Sequence, residues 1–179
     1  MNNMKPVLFL DVDGTIIPLD AVNADNCVIT ERKIIIPAKT KTVNGFTFVE
    51  AEKVFIVEEE VTWRTPLIEF LKEIEKHVEL VWLTSWKHNV RPLESTLGLQ
   101  EHEWLDWELS SDESGKMVAL RNFMKSRPGV KFIWADDFAP VVNQDKLTTL
   151  PENGLIIEAI PELGISDEQI AQMKKFIGV

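Results

Sequence analysis

Two aspartates, Asp11 and Asp13, stand one residue apart directly after the apolar run Val7–Leu10. Carboxylates this close repel each other, so the pair needs a cation beside it. Carboxylate oxygens are ligands that Mg²⁺ prefers, and they can also attack an electrophile or transfer a proton. Gly14 and Thr15 follow at once, and glycine allows the chain to turn tightly there.

Three interpretations compete for the stretch "DVDGT". A calcium-binding EF-hand loop needs glycine at its sixth position and glutamate at its twelfth, but Ile16 and Val22 occupy those places, which excludes it. A second interpretation is structural, because aspartate and glycine are common turn residues. The third is phosphoryl-transfer chemistry, which depends on what the rest of the chain supplies. On this stretch alone the last two stay open.

The elements that position these residues alternate between strands and helices. Val7–Leu10 is a continuous apolar run, which is typical of a strand buried on both faces. Further strands are predicted at "ELVWL" (79–83), "VKFIWA" (130–135) and "GLIIEA" (154–159). Helices are predicted from an N-cap at Thr65, through "RPLESTL" to Gly98, after Gly115, and after the Ser166–Gln169 capping box.

This alternation predicts an α/β fold with a mainly parallel, Rossmann-like sheet and helices on both faces. Ligands of such sheets bind at the carboxyl ends of the strands. Three polar groups follow strand ends: the Asp11–Asp13 pair, Thr84 and the adjacent pair Asp136–Asp137. We therefore expect all three groups to meet in one crevice.

Residues 16–62 depart from the alternation, because they contain no clear amphipathic helix. "VITERKIII" and "KVFIV" are strand-like, and Asn44-Gly45 between extended runs is a strong hairpin signal. We interpret this segment as a small β-rich insert, a cap or flap beside the crevice, within a single domain of residues 1–179.

Composition sets limits on the kind of protein. The 179 residues are 45% hydrophobic, enough for a substantial core, and the net charge of −10 argues against non-specific nucleic-acid binding. The single cysteine, Cys27, cannot form an internal disulfide, which fits a reducing compartment. We find no apolar signal core and no apolar run of membrane length, so we expect a cytoplasmic protein with no membrane partner. Oligomeric state cannot be inferred.

The order acid pair, hydroxyl, lysine, acid pair resembles the haloacid-dehalogenase-like (HAD) superfamily. The matching stretches are "LFLDVDGT", "LVWLT", "SGKMVAL" and "FIWADD", and they extend from Val7 to about Asp137. A receiver domain also combines acids, threonine and lysine, but it would carry the adjacent acid pair on its first strand and a lone aspartate later. The order here is therefore wrong for a receiver domain.

The resemblance implies a magnesium-dependent phosphomonoester hydrolase with an aspartyl-phosphate intermediate. It makes Asp11 the nucleophile and Asp13 the acid–base, with Thr84 and Lys116 stabilising the phosphoryl charge. It also implies metal ligation by Asp11, Asp136 and the backbone carbonyl of Asp13, with Asp137 holding a water on the metal.

Three residues are expected to contact the substrate: Gly14, Ser85 and Trp86. The turn at Gly14 would offer backbone N–H groups to phosphate. Trp86 lies in the loop just past Thr84, where it could stack on a substrate base or sugar, or instead simply cover the core. Trp104 and Trp107 are interpreted as packing residues.

The substrate is less well defined. "LVWLTSW", "IWADD" and the closing "GISDEQI" also resemble a HAD subgroup associated with RNA-repair proteins. Four basic residues, Arg32, Lys33, Lys39 and Lys41, stand against only Glu31 in residues 26–49, and they could steer a nucleotide or nucleic-acid end. The alternative is that they form the solvated edge of a hairpin, where lysine prevents strands of different molecules from pairing. A phosphorylated small molecule, a phosphotransferase activity and a non-catalytic phosphate-binding scaffold all remain alternatives.

Overall fold

The computed structural model describes residues 4–20, 24–36, 39–43, 46–50, 53–108, 115–138 and 144–179, without the side chains of residues 30–50, 53, 55, 57, 59 and 144–146. The strands are β1 (Val7–Leu10), β2 (Asn26–Ile36), β3 (Lys39–Val43), β4 (Phe46–Glu50), β5 (Lys53–Trp63), β6 (Glu79–Trp82), β7 (Glu103–Trp104), β8 (Phe132–Asp136) and β9 (Gly154–Glu158). The helices are α1 (Thr65–Ile74), α2 (Val90–Leu97), α3 (Gly115–Lys125) and α4 (Asp167–Ile177), with short 3₁₀ helices at Lys87–Asn89 and Gln144–Thr149.

Five strands form a parallel sheet in the order β7-β6-β1-β8-β9. β1 lies at the centre, with Val7 opposite Glu79 on one side and Phe132 on the other. This confirms the predicted mainly parallel α/β fold. The edge strand β7 was not predicted, because two residues are too few to show a hydrophobic period.

Side chains of β1 alternate between two apolar layers. Leu8 and Leu10 pack in a cluster with residues of α1, α2 and α4, whereas Val7 and Phe9 pack in a second cluster with residues of α3. All four β1 residues are completely buried. The helices therefore cover both faces of the sheet, as predicted.

The insert consists of two antiparallel strand pairs, in agreement with the predicted β-rich segment. β2 pairs with β5 along its whole length, from Asn26 opposite Trp63 to Ile36 opposite Lys53, and β3 pairs with β4. The predicted turn residues Asn44 and Gly45 lie outside the described residues. Val61 is fully buried in the core cluster next to the sheet, so the base of the insert is part of the main core.

Asp25 ties the insert to helix α1. Its Oδ1 accepts hydrogen bonds from the backbone N–H of Thr65 (2.8 Å) and from the Thr65 hydroxyl (2.9 Å). The predicted N-cap at Thr65 is therefore wrong: Arg64 is the N-cap, and Thr65 is the first helical residue. The capping box of Ser166 with Gln169 is present as predicted.

A buried carboxylate fastens α2 to β6. Glu94 is 1% exposed, and its Oε1 accepts from the indole N–H of Trp82 (2.6 Å) and from the backbone N–H of His102 (2.8 Å). Its Oε2 accepts from Arg91 (2.9 Å). Three donors thus compensate the cost of burying this charge.

In the described part of the chain, we find no helix long and apolar enough to cross a membrane.

Candidate functional site

The carboxyl ends of β6, β1 and β8 lie side by side, joined by backbone hydrogen bonds. Leu83 donates to the carbonyl of Leu10 (2.9 Å), and Asp11 donates to the carbonyl of Ala135 (3.0 Å). This pairing brings Thr84, Asp11 and Asp136 to one edge of the sheet, as the topology of parallel sheets requires.

Three aspartates form an acidic cluster at this edge. Asp11, Asp136 and Asp137 each offer one carboxylate oxygen, and these oxygens lie within 4.8 Å of one another. Asp11 is 6% exposed and Asp136 is fully buried. An all-oxygen donor set with this much negative charge fits Mg²⁺. The carboxylate of Asp13 is outside this cluster, and metal ligation by its backbone carbonyl stays a prediction.

Lys116 supplies positive charge between two of these carboxylates. It stands in the first turn of α3, and its Nζ lies 2.6 Å from Asp11 Oδ2 and 2.8 Å from Asp136 Oδ2. Burial alone would lower the pKa of Lys116, but the charges of Asp11 and Asp136 outweigh burial and raise it. Lys116 therefore stays charged and contacts the site directly.

The like charges of the cluster disturb the ionisation of two members. Burial, followed by the charge of Asp136, raises the pKa of Asp11 from 3.8 to about 6. Burial and the same neighbouring charge raise the pKa of Asp137. Ionisation of Asp11 thus opposes folding as the pH rises from about 4 through about 6, the range between its unfolded and folded pKa values.

We therefore expect Mg²⁺ to stabilise the protein more at about pH 7.5 than at about pH 5. Near pH 5 a proton occupies Asp11 and competes with the cation, whereas above the raised pKa the ionised carboxylate is available. Melting temperatures measured with Mg²⁺ and with EDTA across this range test the expectation. In Asp11→Asn the shift should be small at both pH values. A wild-type shift that is equal or larger at low pH would contradict the assignment of Asp11 as a ligand.

The turn after Asp11 is closed by its own backbone. The N–H groups of Thr15, Ile16 and Ile17 donate to the carbonyl of Val12 at 3.2, 2.9 and 3.0 Å, and Gly14 donates to Ile17 at 2.8 Å. These four N–H groups already donate to carbonyls within the turn. They are therefore not available to phosphate, contrary to the prediction for this turn.

Gly14 is required at its position for two reasons. Its φ of +65° lies in the left-handed region that favours glycine. A Cβ at this position would also collide with the carboxylate of Asp137, lying 2.7 Å from its Cγ. The absence of a side chain at Gly14 therefore lets Asp137 approach the turn.

Gly14→Ala should weaken Mg²⁺ binding by about 10- to 100-fold, because Asp137 must move out of the acidic cluster. Gly129→Ala is the matched control: Gly129 also has a positive φ, +77°, but an added Cβ meets nothing within 4 Å. The control should lose only stability, about 1–2 kcal/mol, from backbone strain. Calorimetric titration with Mg²⁺ and urea unfolding of both variants separate the two effects, and equal Mg²⁺ affinities would contradict the role of Gly14.

Two tryptophans hold Thr84. The Thr84 hydroxyl accepts from the backbone N–H of Trp86 (3.3 Å), and its carbonyl accepts from the indole of Trp107 (3.2 Å). Thr84 is 1% exposed, and accepting this bond leaves the hydroxyl hydrogen to donate. The ring of Trp107 also lies 5.8 Å from Lys116 Nζ. Trp107 was predicted to be a packing residue, but it contacts both Thr84 and Lys116. No spacing pattern in the sequence indicated these two contacts.

Trp86 does not fit the predicted stacking role. Only 1% of the residue is exposed, so neither ring face is open to a substrate. Its indole N–H instead donates to Asp13 Oδ1 at 2.9 Å. The alternative interpretation, a tryptophan that covers the core, describes the packing correctly but did not include this bond. The neighbouring Ser85 is exposed beside the site.

The geometry and the sequence lead to the same family. A comparison with curated proteins gives no match. Residues 7–170 match the family described as the HAD domain in Swiss Army Knife RNA repair proteins, and this range contains every residue of the site. The chain belongs to that family of the HAD superfamily.

Proposed function

We propose that this protein is a magnesium-dependent phosphomonoester hydrolase that acts through an aspartyl-phosphate on Asp11. Membership of the HAD superfamily supports a phosphatase-type hydrolase in general. The observation that supports the magnesium-dependent aspartyl-phosphate mechanism is the buried Asp11 carboxylate, which lies among Asp136, Asp137 and Lys116. A nucleophile beside fixed positive charge, with a second carboxyl two residues away, suits stepwise transfer of a phosphoryl group.

In the first step, a carboxylate oxygen of Asp11 bonds to phosphorus as the bond to the leaving oxygen breaks. Asp13 gives its proton to that oxygen, so the leaving group departs as a neutral alcohol. The Thr84 hydroxyl and the Lys116 ammonium donate to the phosphoryl oxygens, where negative charge concentrates in the transition state.

In the second step, Asp13 takes a proton from a water molecule whose oxygen attacks phosphorus. The bond between phosphorus and Asp11 breaks, inorganic phosphate leaves, and both aspartates return to their starting states. HAD enzymes generally use Mg²⁺, which Asp11, Asp136 and Asp137 would hold here, with the Asp13 carbonyl as a further proposed ligand. When bound, it supplies charge that attracts the phosphate and offsets the repulsion of the carboxylates.

The proposed substrate is a phosphorylated nucleotide or polynucleotide end. Two observations support this class over other phosphorylated small molecules. The family description refers to RNA repair proteins, and residues 26–49 of the insert carry four basic residues against one acidic residue in a chain of net charge −10.

The direct test measures phosphate release from 4-nitrophenyl phosphate, nucleoside 3′- and 5′-monophosphates, and RNA oligonucleotides phosphorylated at either end, with Mg²⁺ or EDTA. We expect Mg²⁺-dependent turnover, with the highest kcat/KM on a nucleotide or an oligonucleotide end. Transfer of the phosphoryl group to an added alcohol instead of water would identify a phosphotransferase. Binding of phosphate esters without turnover would identify a scaffold and overturn the proposal.

Replacing Lys39 and Lys41 together with Gln tests the role of the insert. If these lysines contact nucleic-acid phosphates, kcat/KM on a phosphorylated oligonucleotide should fall. The slope of log kcat/KM against log salt concentration should also become less steep, by about 0.7 for each lost contact with a single strand. Turnover of 4-nitrophenyl phosphate should hold, because this small ester contacts only the metal site. The double substitution Lys72→Gln and Lys76→Gln on α1 and just past it, at two exposed lysines, is the charge-matched control. An equal loss on both substrates, or none on either, would contradict the steering role.

A further inference from the structure

We propose that Trp86 is a positioning residue that holds the Asp13 carboxyl group for proton transfer, an inference that rests on the proposed phosphatase function. Its indole Nε1 lies 2.9 Å from Asp13 Oδ1. The same residue donates its backbone N–H to the Thr84 hydroxyl at 3.3 Å. One buried side chain and its backbone thus contact both the acid–base and a phosphate-binding hydroxyl.

The chemistry of the indole fixes which oxygen of Asp13 carries the proton. An indole N–H can only donate, so Asp13 Oδ1 must act as the acceptor. In the acid form of Asp13 the carbonyl oxygen is the stronger acceptor, so this bond assigns Oδ1 as the carbonyl oxygen and Oδ2 as the hydroxyl. Trp86 thus orients Asp13 so that Oδ2 is the atom that delivers the proton to the leaving group and later receives one from water.

The surrounding structure holds Trp86 rigidly. It belongs to the core cluster that contains β1 and α2, and it is 1% exposed, so its ring has little freedom to rotate. The next residue, Lys87, has φ of +49°, and among the described residues it is the one non-glycine with positive φ. The backbone directly after Trp86 thus lies in the left-handed region, which residues with a side chain seldom adopt.

Trp82 provides a matched control. It is also completely buried in the same cluster, and its indole also donates to a carboxylate, Glu94 Oε1 at 2.6 Å. That carboxylate belongs to α2 and has no role in the proposed reaction. Trp82→Phe and Trp86→Phe therefore remove the same group from similar surroundings, and only the second acts on Asp13.

The experiment compares kcat/KM for an alkyl phosphate and for 4-nitrophenyl phosphate. Poor leaving groups depend on protonation, so Trp86→Phe should lower kcat/KM on the alkyl ester by about 10- to 100-fold, and clearly less on the aryl ester. Trp82→Phe should keep the wild-type ratio between the two substrates. In an Asp13→Asn background, Trp86→Phe should cause no further loss, because the residue acts through Asp13. A uniform loss on both esters, or the same loss in the Asp13→Asn background, would reduce Trp86 to a packing residue and overturn the inference.

A second measurement does not require turnover. The indole ¹H–¹⁵N signal of Trp86, identified by its disappearance in Trp86→Phe, should move upfield in Asp13→Ala, while the Trp82 signal stays in place. An unchanged Trp86 signal would overturn the hydrogen bond itself. If this signal moves but the wild-type protein cleaves no phosphate ester, the contact stands while the proposed function and the proton-transfer role both fail.

Discussion

Asp11→Asn should reduce turnover of every phosphate monoester by on the order of 10⁴-fold or more, because it removes the nucleophile itself. Asparagine has nearly the same shape as aspartate but lacks the negative charge needed to attack phosphorus. The loss should be the same for aryl and alkyl esters, since both must form the bond to Asp11. Phosphate release under saturating Mg²⁺ measures it.

The same substitution should leave the fold intact. Burial and the charge of Asp136 raise the pKa of Asp11 to about 6, so its ionisation lowers stability between about pH 4 and 6 and the full penalty is present at neutral pH. Removing that charge should therefore raise the melting temperature of the metal-free protein at neutral pH. Asp167→Asn, which changes an exposed aspartate paired with Arg64, is the control and should leave turnover unchanged. Near-normal activity in Asp11→Asn would show that Asp11 is not the nucleophile.

The fold and the convergence of the acidic residues could be predicted because both follow from local patterns. Apolar runs that end in polar residues gave the parallel strands, and the topology of such sheets placed Asp11 and Asp136 at one edge. Lys116 could be located because Gly115 marked the start of its helix. The close approach of the three carboxylates, whose oxygens lie within 4.8 Å of one another, depends on side-chain packing. Residue spacing in the sequence does not predict such packing.

The features that could not be predicted depend on contacts between distant parts of the chain. The stretch "TSW" is compatible with a tryptophan that faces substrate or core. The left-handed backbone of the next residue, Lys87, is also not signalled by a glycine or an asparagine. The cap of α1 comes from Asp25, which is 40 residues away from Thr65. In both cases tertiary contacts override the local preference.

Asp13 is proposed as the acid–base and Asp11 as the nucleophile, and replacing Asp13 gives the second large effect. Asp13→Asn should lower kcat by about 10²- to 10⁴-fold, the range of general acid–base catalysis. The amide oxygen of asparagine can still accept from Trp86, so the side chain should stay in place while its proton chemistry is lost. The decrease in kcat/KM should be smaller for 4-nitrophenyl phosphate than for an alkyl ester, because the nitrophenolate leaving group needs no proton.

Mg²⁺ affinity distinguishes this role from that of a ligand. The Asp13 carboxylate lies outside the acidic cluster, so Asp13→Asn should bind Mg²⁺ nearly as wild type does, whereas Asp136→Asn should bind it much more weakly. With the hydrolytic step slowed, rapid quenching of Asp13→Asn with labelled 4-nitrophenyl phosphate should trap the phosphoryl group on Asp11. A loss of Mg²⁺ affinity equal to that of Asp136→Asn would instead make the Asp13 side chain a ligand. Both aspartates of "DVDGT" would then serve the cation, and a different residue would have to supply the proton.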